Sequence, residues 1–179
     1  VLHLDVTLAF IQKLYNYSKK LAQFRQYATI DSLTGLYNKS YFMGILKNIS
    51  KQDNYPLCII MLDLDNFKLY NDTHGHQAGD KLLKAVGEII TQLLPINAMA
   101  CRYGGEEFCI LIEKTSFDAA KNFAEQLRKK ISLLTPITAS LGIAFFNTKE
   151  HFYIMVSEAD RALYEAKRNG KNCVVAEKF

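Results

Sequence analysis

The longest apolar stretch of this 179-residue chain runs from Leu57 to Leu62 and predicts a buried β-strand over residues 57–64. A membrane span needs roughly 20 apolar residues, so this stretch is far too short to be one. His3 and Asp5 interrupt the apolar N-terminus, and no basic segment precedes it, so a signal peptide is not expected. The strand is therefore predicted to lie inside a globular domain.

Further apolar patterns place helices and strands on both sides of this strand. Ser116 is expected to cap one helix and Gly170 to close another, while Asp65 is expected to be the N-cap of a short segment over 66–70. The order β-α-β-β-α-β, with additional helices, predicts an α+β fold with a central mixed β-sheet flanked by helices. The predicted helices are 39–51, 79–94, 116–134 and 153–169, and the other predicted strands are 99–103, 108–112, 137–146 and 172–176.

Residues 1–28 contain no Pro or Gly and are predicted to form one linker helix ahead of a domain over 29–179. Apolar residues recur in this segment at alternating spacings of four and three, which is a heptad pattern. Two interpretations stay open: a coiled coil that pairs two chains, or a helix that packs on its own domain. Since the chain begins with Val1 rather than Met, we expect a piece of a longer protein. The heptad positions are Phe10, Leu14, Tyr17, Leu21, Phe24 and Ala28.

The composition excludes several classes of protein. Apolar residues make up 49% of the chain and the net charge is only +4, which argues against a disordered chain and against a nucleic-acid partner. The cysteines form no C-x-x-C pair, so we expect buried, reduced thiols, with a disulfide or a metal site as the alternatives. Reduced thiols favour a cytoplasmic location. The cysteines are Cys58, Cys101, Cys109 and Cys173.

Acidic residues occur at two places where a carboxylate needs a partner. Asp63 lies at the end of the apolar strand, and Glu106 and Glu107 follow Gly104 and Gly105 at a predicted hairpin. Two glycines permit positive φ angles and a close approach of a ligand. If the hairpin pairs beside the strand, these carboxylates converge and suit Mg²⁺, which prefers oxygen ligands. The alternative is an exposed acidic turn in which Asp63 caps a helix.

Other polar residues have the chemistry to bind a nucleotide. The Asp80 carboxylate can accept two hydrogen bonds from a guanine edge, and Asn71 can both donate and accept. Lys68, Lys167 and Lys171 could neutralise phosphates. Each also has an ordinary structural interpretation. Asn71 and Asp80 could be turn or cap residues, and the lysines could stabilise helix ends through the helix dipole.

Six motifs in one order carry a resemblance to a known family. Together they resemble the GGDEF family of diguanylate cyclases, in its GGEEF variant, over residues 29 to about 176. The motifs are DSLTGLYN at 31–38, LDLDNFK at 62–68, NDTHGHQAGD at 71–80, RYGGEEF at 102–108, SLGIA at 140–144 and ADRALYEAK at 159–167.

The resemblance implies a fold like that of nucleotidyl cyclases and polymerase palm domains. It also implies a cytoplasmic enzyme that condenses two GTP molecules into cyclic di-GMP and pyrophosphate with Mg²⁺, or Mn²⁺ in its place. Each domain would bind one GTP, so catalysis would need a homodimer. An upstream sensor domain, which could be anchored in a membrane, would control that dimer.

By position in the motifs, the resemblance also implies roles for individual residues. Glu106 would activate the 3′-hydroxyl, and Lys171 stands where Arg is common. The metal residues would be Asp63, Glu106, the backbone carbonyl of Leu64 and, in support, Glu107. The guanine would be bound by Asn71 and Asp80, and the triphosphate by Phe67, Lys68, Lys167 and Lys171, with Gly104 and Gly105 allowing the hairpin to approach the substrate.

One departure from the family pattern concerns regulation. Many members carry an Arg-x-x-Asp motif that binds inhibitory product, whereas residues 95–98 here are PINA. We therefore expect no product inhibition at that site. Two alternatives to an active enzyme are a degenerate domain that binds GTP or cyclic di-GMP without turnover and an interaction domain that only transmits dimerisation.

Overall fold

A computed structural model describes residues 11–20, 29–52 and 55–179 of the chain. Residues 11–20 are helical, and the elements of the domain follow from residue 37 onward. The helices are α1 (Lys39–Ile49), α2 (Phe67–His74), α3 (His76–Leu93), α4 (Phe117–Leu134) and α5 (Phe152–Arg168). The strands are β1 (Tyr37–Asn38), β2 (Leu57–Leu64), β3 (Ala98–Arg102), β4 (Glu107–Glu113), β5 (Ala139–Phe146) and β6 (Val174–Lys178).

Strand β2 is at the centre of one mixed sheet of order β1-β3-β4-β2-β5-β6. It pairs antiparallel with β4 and β5, while β1–β3 and β5–β6 are parallel pairs. All eight residues of β2 are buried because both faces of the sheet are covered. Ile60 and Leu62 pack with α3 and α4, whereas Ile59 and Met61 pack with α1 and α5. The prediction of an α+β fold with a central mixed sheet and flanking helices is confirmed.

Most predicted elements are confirmed to within a few residues, and two of them differ from the prediction. Strand β1 is an addition of two residues, and it depends on its parallel partner β3. Helix α3 begins at His76 rather than at residue 79, directly after Gly75, whose φ of 84° ends α2. The caps predicted at the later helices are confirmed, since the Ser116 side chain accepts from the amide of Ala119 and Gly170, with φ 101°, follows α5.

The prediction that Asp65 is an N-cap is wrong. Asn66 takes the N-cap position of α2, with φ 59° and no capping hydrogen bond from its side chain. The Asp65 carboxylate is buried and accepts hydrogen bonds from Thr138 and Ser140 instead. Strand β5 pairs with β2 and brings these hydroxyls beside Asp65 from far along the chain.

The predicted linker helix is described only in part. Residues 11–20 are helical, and within them Leu14 and Tyr17 are 53% and 68% exposed. The other predicted heptad positions, Phe10, Leu21, Phe24 and Ala28, lie outside the described residues. The choice between a coiled coil and a helix packed on its own domain stays a prediction.

The cysteines are all free thiols. Cys58, Cys101 and Cys109 are buried, as predicted, while Cys173 is only half-buried. Burial raises the pKa of the Cys58 and Cys109 thiols. Within the part of the chain that the structure describes, no helix has both the length and the apolar character needed to cross a membrane.

Candidate active site

The carboxyl end of β2 brings the predicted acidic residues together. Asp63 is opposite Glu107 in the antiparallel β2–β4 pair, and the Leu64 amide donates to the Glu106 carbonyl oxygen at 3.3 Å. The hairpin between β3 and β4 therefore pairs beside the central strand, which is the condition on which the predicted convergence depended. Asp63, Glu106 and Glu107 share one end of the sheet.

Asp63 is a buried carboxylate with a cationic neighbour. Its side chain is 11% exposed, and its Oδ2 lies 2.8 Å from the Nζ of Lys167 on α5. Burial raises the pKa of Asp63, the hydrogen bond and charge of Lys167 oppose that rise, and the charges of Glu106 and Glu107 add to it. The site thus holds more negative charge than Lys167 neutralises, which favours a further cation.

The oxygen donors at this end of the sheet fit a hard divalent cation. They are the carboxylates of Asp63, Glu106 and Glu107 and the carbonyl of Leu64. Over residues 11–20, 29–52 and 55–179, no three His, Cys, Asp or Glu side chains form a complete metal-binding group. Mg²⁺ does not require such a group, because it usually binds one or two carboxylates and completes its coordination with water and substrate phosphates.

The hairpin between β3 and β4 is held by Arg102, a residue to which the sequence assigned no role. Arg102 donates from Nε and Nη2 to the Gly105 carbonyl oxygen at 3.1 and 2.8 Å, and its Nη1 lies 3.4 Å from Asp31 Oδ2. Asp31 also accepts from the amide and hydroxyl of Thr34. The 31–38 motif therefore anchors the loop that carries Glu106. The sequence contained a hint of this contact, because Asp31 and Arg102 both lie in motifs that the family resemblance uses.

The glycines of the hairpin do not adopt the positive φ angles that their sequence permits, while the predicted close approach to the substrate stays a prediction. Neither Gly104 nor Gly105 is among the residues with positive φ. A Cβ on Gly104 would lie 2.5 Å from Glu107 Oε2, while one on Gly105 would meet nothing within 4 Å. Gly104 thus leaves room for the Glu107 carboxylate, and Gly105 leaves the hairpin tip open.

Asn71 and Asp80 lie on the adjacent helices α2 and α3. The Asn71 Oδ1 atom is buried and has no hydrogen-bond partner among the described residues. It lies against Gly79, where a Cβ would be only 1.8 Å away. Asp80, the next residue, is exposed. A buried acceptor without a donor is unfavourable, so a ligand that brings a hydrogen-bond donor to Asn71 would stabilise it.

The predicted phosphate-binding residues lie around the start of α2 and the end of α5. Phe67 is buried in the first turn of α2 and Lys68 beside it is exposed. Lys171 donates from Nζ to Asn66 Oδ1 at 2.6 Å, so it contacts the residue just before Phe67. Lys167 contacts Asp63. Lys167 is therefore next to the acidic site and Lys171 is next to the start of α2, while Lys68 faces solvent.

The profile of the family described as "Diguanylate cyclase, GGDEF domain" matches residues 28–173. The chain belongs to this GGDEF domain family. The resemblance of the six motifs to the GGDEF family is thereby confirmed.

Named relatives support the same family. Diguanylate cyclase A of Treponema denticola is 38% identical over 172 residues, covering 88% of this GGDEF chain and 46% of that protein. Diguanylate cyclase VdcA of Vibrio cholerae is 35% identical over 168 residues, covering 88% of this chain and 49% of that protein. The chain thus spans about half the length of these curated relatives.

A solved structure matches this GGDEF domain over nearly its whole length. It is the coiled coil and GGDEF domain of DgcB from Caulobacter crescentus, crystallised in complex with c-di-GMP. The TM-score is 0.91 at 31% sequence identity, and the match covers 97% of this chain and 99% of that one.

Proposed function

We propose that this GGDEF domain is the catalytic domain of a diguanylate cyclase, which condenses two GTP molecules into cyclic di-GMP and pyrophosphate. The observation that carries the proposal is the convergence of Asp63, Glu106 and Glu107 at the end of β2. The names of the relatives, diguanylate cyclases from two bacteria, agree with it.

Asn71 and Asp80 are proposed to select guanine. Guanine presents an N1–H and an exocyclic amine on one edge, and a carboxylate can accept from both. The buried Asn71 Oδ1 is an acceptor with no partner of its own, so a base that brings a donor removes an unfavourable unpaired group. Adenine lacks the N1–H donor and is expected to bind less well.

The triphosphate is proposed to lie between the start of α2 and the end of α5. The amides of Phe67 and Lys68 are in the first turn of α2, where backbone N–H groups lack helical partners. Lys167 and Lys171 supply positive charge from the other side. Asp63, Glu106 and the Leu64 carbonyl, with Glu107 in support, would hold Mg²⁺ or Mn²⁺, which when bound offsets phosphate charge and makes the 3′-hydroxyl more acidic.

Glu106 is proposed to assist the attacking 3′-hydroxyl by accepting its proton. Its position at the hairpin tip is fixed by Arg102 through the neighbouring Gly105 carbonyl. Since one domain holds one GTP, two domains must face each other, and we propose a homodimer. Upstream sensing through the N-terminal helix and a cytoplasmic location, supported by the four free thiols, belong to the same proposal.

A domain that only binds nucleotide is the second candidate. A binding domain has no need of the acidic set, and here all three carboxylates are retained around β2. Only a cyclase converts GTP into cyclic di-GMP, so the formation of cyclic di-GMP distinguishes it from a binding domain.

Incubation with GTP and Mg²⁺ over a range of protein concentrations, followed by chromatography, is expected to yield cyclic di-GMP and pyrophosphate. Glu106→Gln is expected to abolish turnover and leave the fold intact, because it removes the charge but keeps the shape. Glu113→Gln, the same change at the far end of β4, is the matched control and should retain activity. Turnover by Glu106→Gln within about tenfold of the parent would contradict the assignment, since losing this group should cost several kcal/mol of transition-state stabilisation.

A further inference from the structure

Asp65 is a buried carboxylate that the proposed chemistry does not use. It is 3% exposed, and both of its oxygens accept hydrogen bonds. Oδ1 accepts from the Ser140 hydroxyl at 2.7 Å, and Oδ2 accepts from the Thr138 hydroxyl at 2.6 Å and from the Asn172 amide at 3.0 Å. A buried carboxylate needs such donors, and these come from separate parts of the chain.

These hydrogen bonds tie together two segments that are far apart in sequence. One is the start of α2, directly after Asp65, and the other is the turn after α5. A further hydrogen bond links the same two segments, since Lys171 Nζ donates to Asn66 Oδ1 at 2.6 Å. Arg128 on α4 donates from Nη1 to Asn172 Oδ1 at 2.7 Å and holds the same turn from outside.

Both segments have backbone conformations that L-residues rarely adopt. Asn66 has φ 59°, Lys171 has φ 65° and Asn172 has φ 47°. Such left-handed residues persist where surrounding contacts determine them. Here the Asp65 carboxylate and the Lys171–Asn66 hydrogen bond are those contacts.

We propose that Asp65 is a positioning residue that fixes the separation of the two triphosphate-binding segments. The Phe67 and Lys68 amides are on one segment, and Lys167 and Lys171 flank the other. This inference rests on the proposed function, because it assigns Asp65 a role only if these segments bind a triphosphate. Asp65 itself does not reach the substrate; it acts through Asn66 and Asn172.

The test compares a triphosphate ligand with one that carries only the base and sugar. The non-reacting α,β-methylene analogue of GTP, with Mg²⁺, and 2′-deoxyguanosine are titrated separately by NMR. Asp65→Ala is expected to weaken the GTP analogue about tenfold or more, since several charge-assisted hydrogen bonds are lost. Binding of 2′-deoxyguanosine should stay within about twofold, because Asn71 lies against Gly79 on α3 and takes part in none of the Asp65 hydrogen bonds.

Three further variants separate positioning from simple destabilisation. Asp65→Asn keeps an acceptor for the Asn172 amide and should recover most of the affinity. Thr138→Val removes one donor to Asp65 without changing the side-chain shape and should give a smaller, selective loss. Leu46→Ala is the control, since Leu46 is buried on α1 in the other core cluster and should lower stability but neither affinity.

The outcomes distinguish this inference from the proposed function. Equal losses for both ligands, or no loss for the GTP analogue, would overturn the role of Asp65 while the parent still makes cyclic di-GMP. If Asp65→Ala does not fold, the ligand ratio of Thr138→Val decides the matter in the same way. A parent protein that fails to bind the GTP analogue at all would overturn the proposed function, and this inference with it.

Discussion

At the residue scale, the packing of Gly79 on Asn71 makes a sharp prediction. A methyl group at position 79 would lie 1.8 Å from Asn71 Oδ1 and must displace the amide. We expect Gly79→Ala to raise the KM for GTP about tenfold or more and to cost about 1–3 kcal/mol of stability through overpacking. Steady-state kinetics and thermal unfolding measure the two effects.

Gly44→Ala is the matched control for that change. Gly44 lies on the exposed side of α1, and a Cβ there would meet nothing within 4 Å. Alanine is the better helix former by about 0.5–1 kcal/mol, so this variant should be slightly more stable with unchanged kinetics. An unchanged KM for Gly79→Ala would mean that Asn71 does not contact the base.

The buried carboxylate of Asp63 is expected to lower the stability of the domain although the proposed function needs it. Its pKa is raised, chiefly by burial, so the folded state binds the Asp63 proton more tightly than the unfolded state does. The stability that this proton contributes is present at low pH and is lost as pH rises through the folded-state pKa. Above the folded-state pKa the ionised carboxylate therefore lowers the free energy of unfolding.

Asp63→Asn is expected to raise the free energy of unfolding by about 1 kcal/mol at neutral pH and to abolish turnover. The gain should vanish below a pH of about 4, where Asp63 is protonated in both states. Denaturant titrations across pH measure it, with the exposed Asp72→Asn as control. A loss of stability at neutral pH would show that the Lys167 pair outweighs burial.

At the element scale, the helical residues 11–20 present apolar side chains to solvent. Leu14→Asp combined with Tyr17→Asp is expected to shift a dimer towards monomer and to lower the cyclase rate about tenfold at low protein concentration. Gln12→Asp with Asn16→Asp adds the same charge away from the heptad positions and should change neither property. Unchanged sedimentation and rate in the first pair would favour a helix that packs on its own domain.

Elements that are determined by neighbouring residues could be predicted from the sequence, whereas elements that depend on pairing with a distant segment could not. The apolar run of β2 and the Ser116 cap of α4 are local signals, and both predictions are confirmed. Strand β1 has two residues, too few for any periodicity, and exists through its pairing with β3.

The residues of the site follow the same division. Asp63 was visible as a charge inside an apolar run, and the motifs located the others. The donors to Asp65 could not be found from spacing, since Thr138 and Ser140 are 73 and 75 residues away. Only the β2–β5 register brings them together.

At the scale of the whole molecule, the stretch over 95–98 predicts weak product inhibition. Ile96 is fully exposed, and Pro95 accepts from the Ala98 amide in a turn that has no charged side chain of its own. Loss of bidentate charged contacts should weaken cyclic di-GMP there a hundredfold or more, an order-of-magnitude figure of about 3 kcal/mol.

The measurement is the initial rate against added cyclic di-GMP at saturating GTP. No inhibition is expected at low micromolar product, although competition at the substrate site should appear when GTP is scarce. Non-competitive inhibition at low micromolar product would refute the prediction and indicate a second product site elsewhere on the domain.

Strand β2 is covered on both faces and paired on both edges, and Asp63 lies near its end. Amide protons in such a strand exchange with solvent only when the whole domain opens, whereas those of loops and edge strands exchange through local fraying. We therefore expect Asp63 to lie in the slowest-exchanging region of the protein. Partial unfolding that spares β2 should leave Asp63 in place. We therefore expect heat or denaturant to disorder the hairpin first and so to separate Glu106 from Asp63.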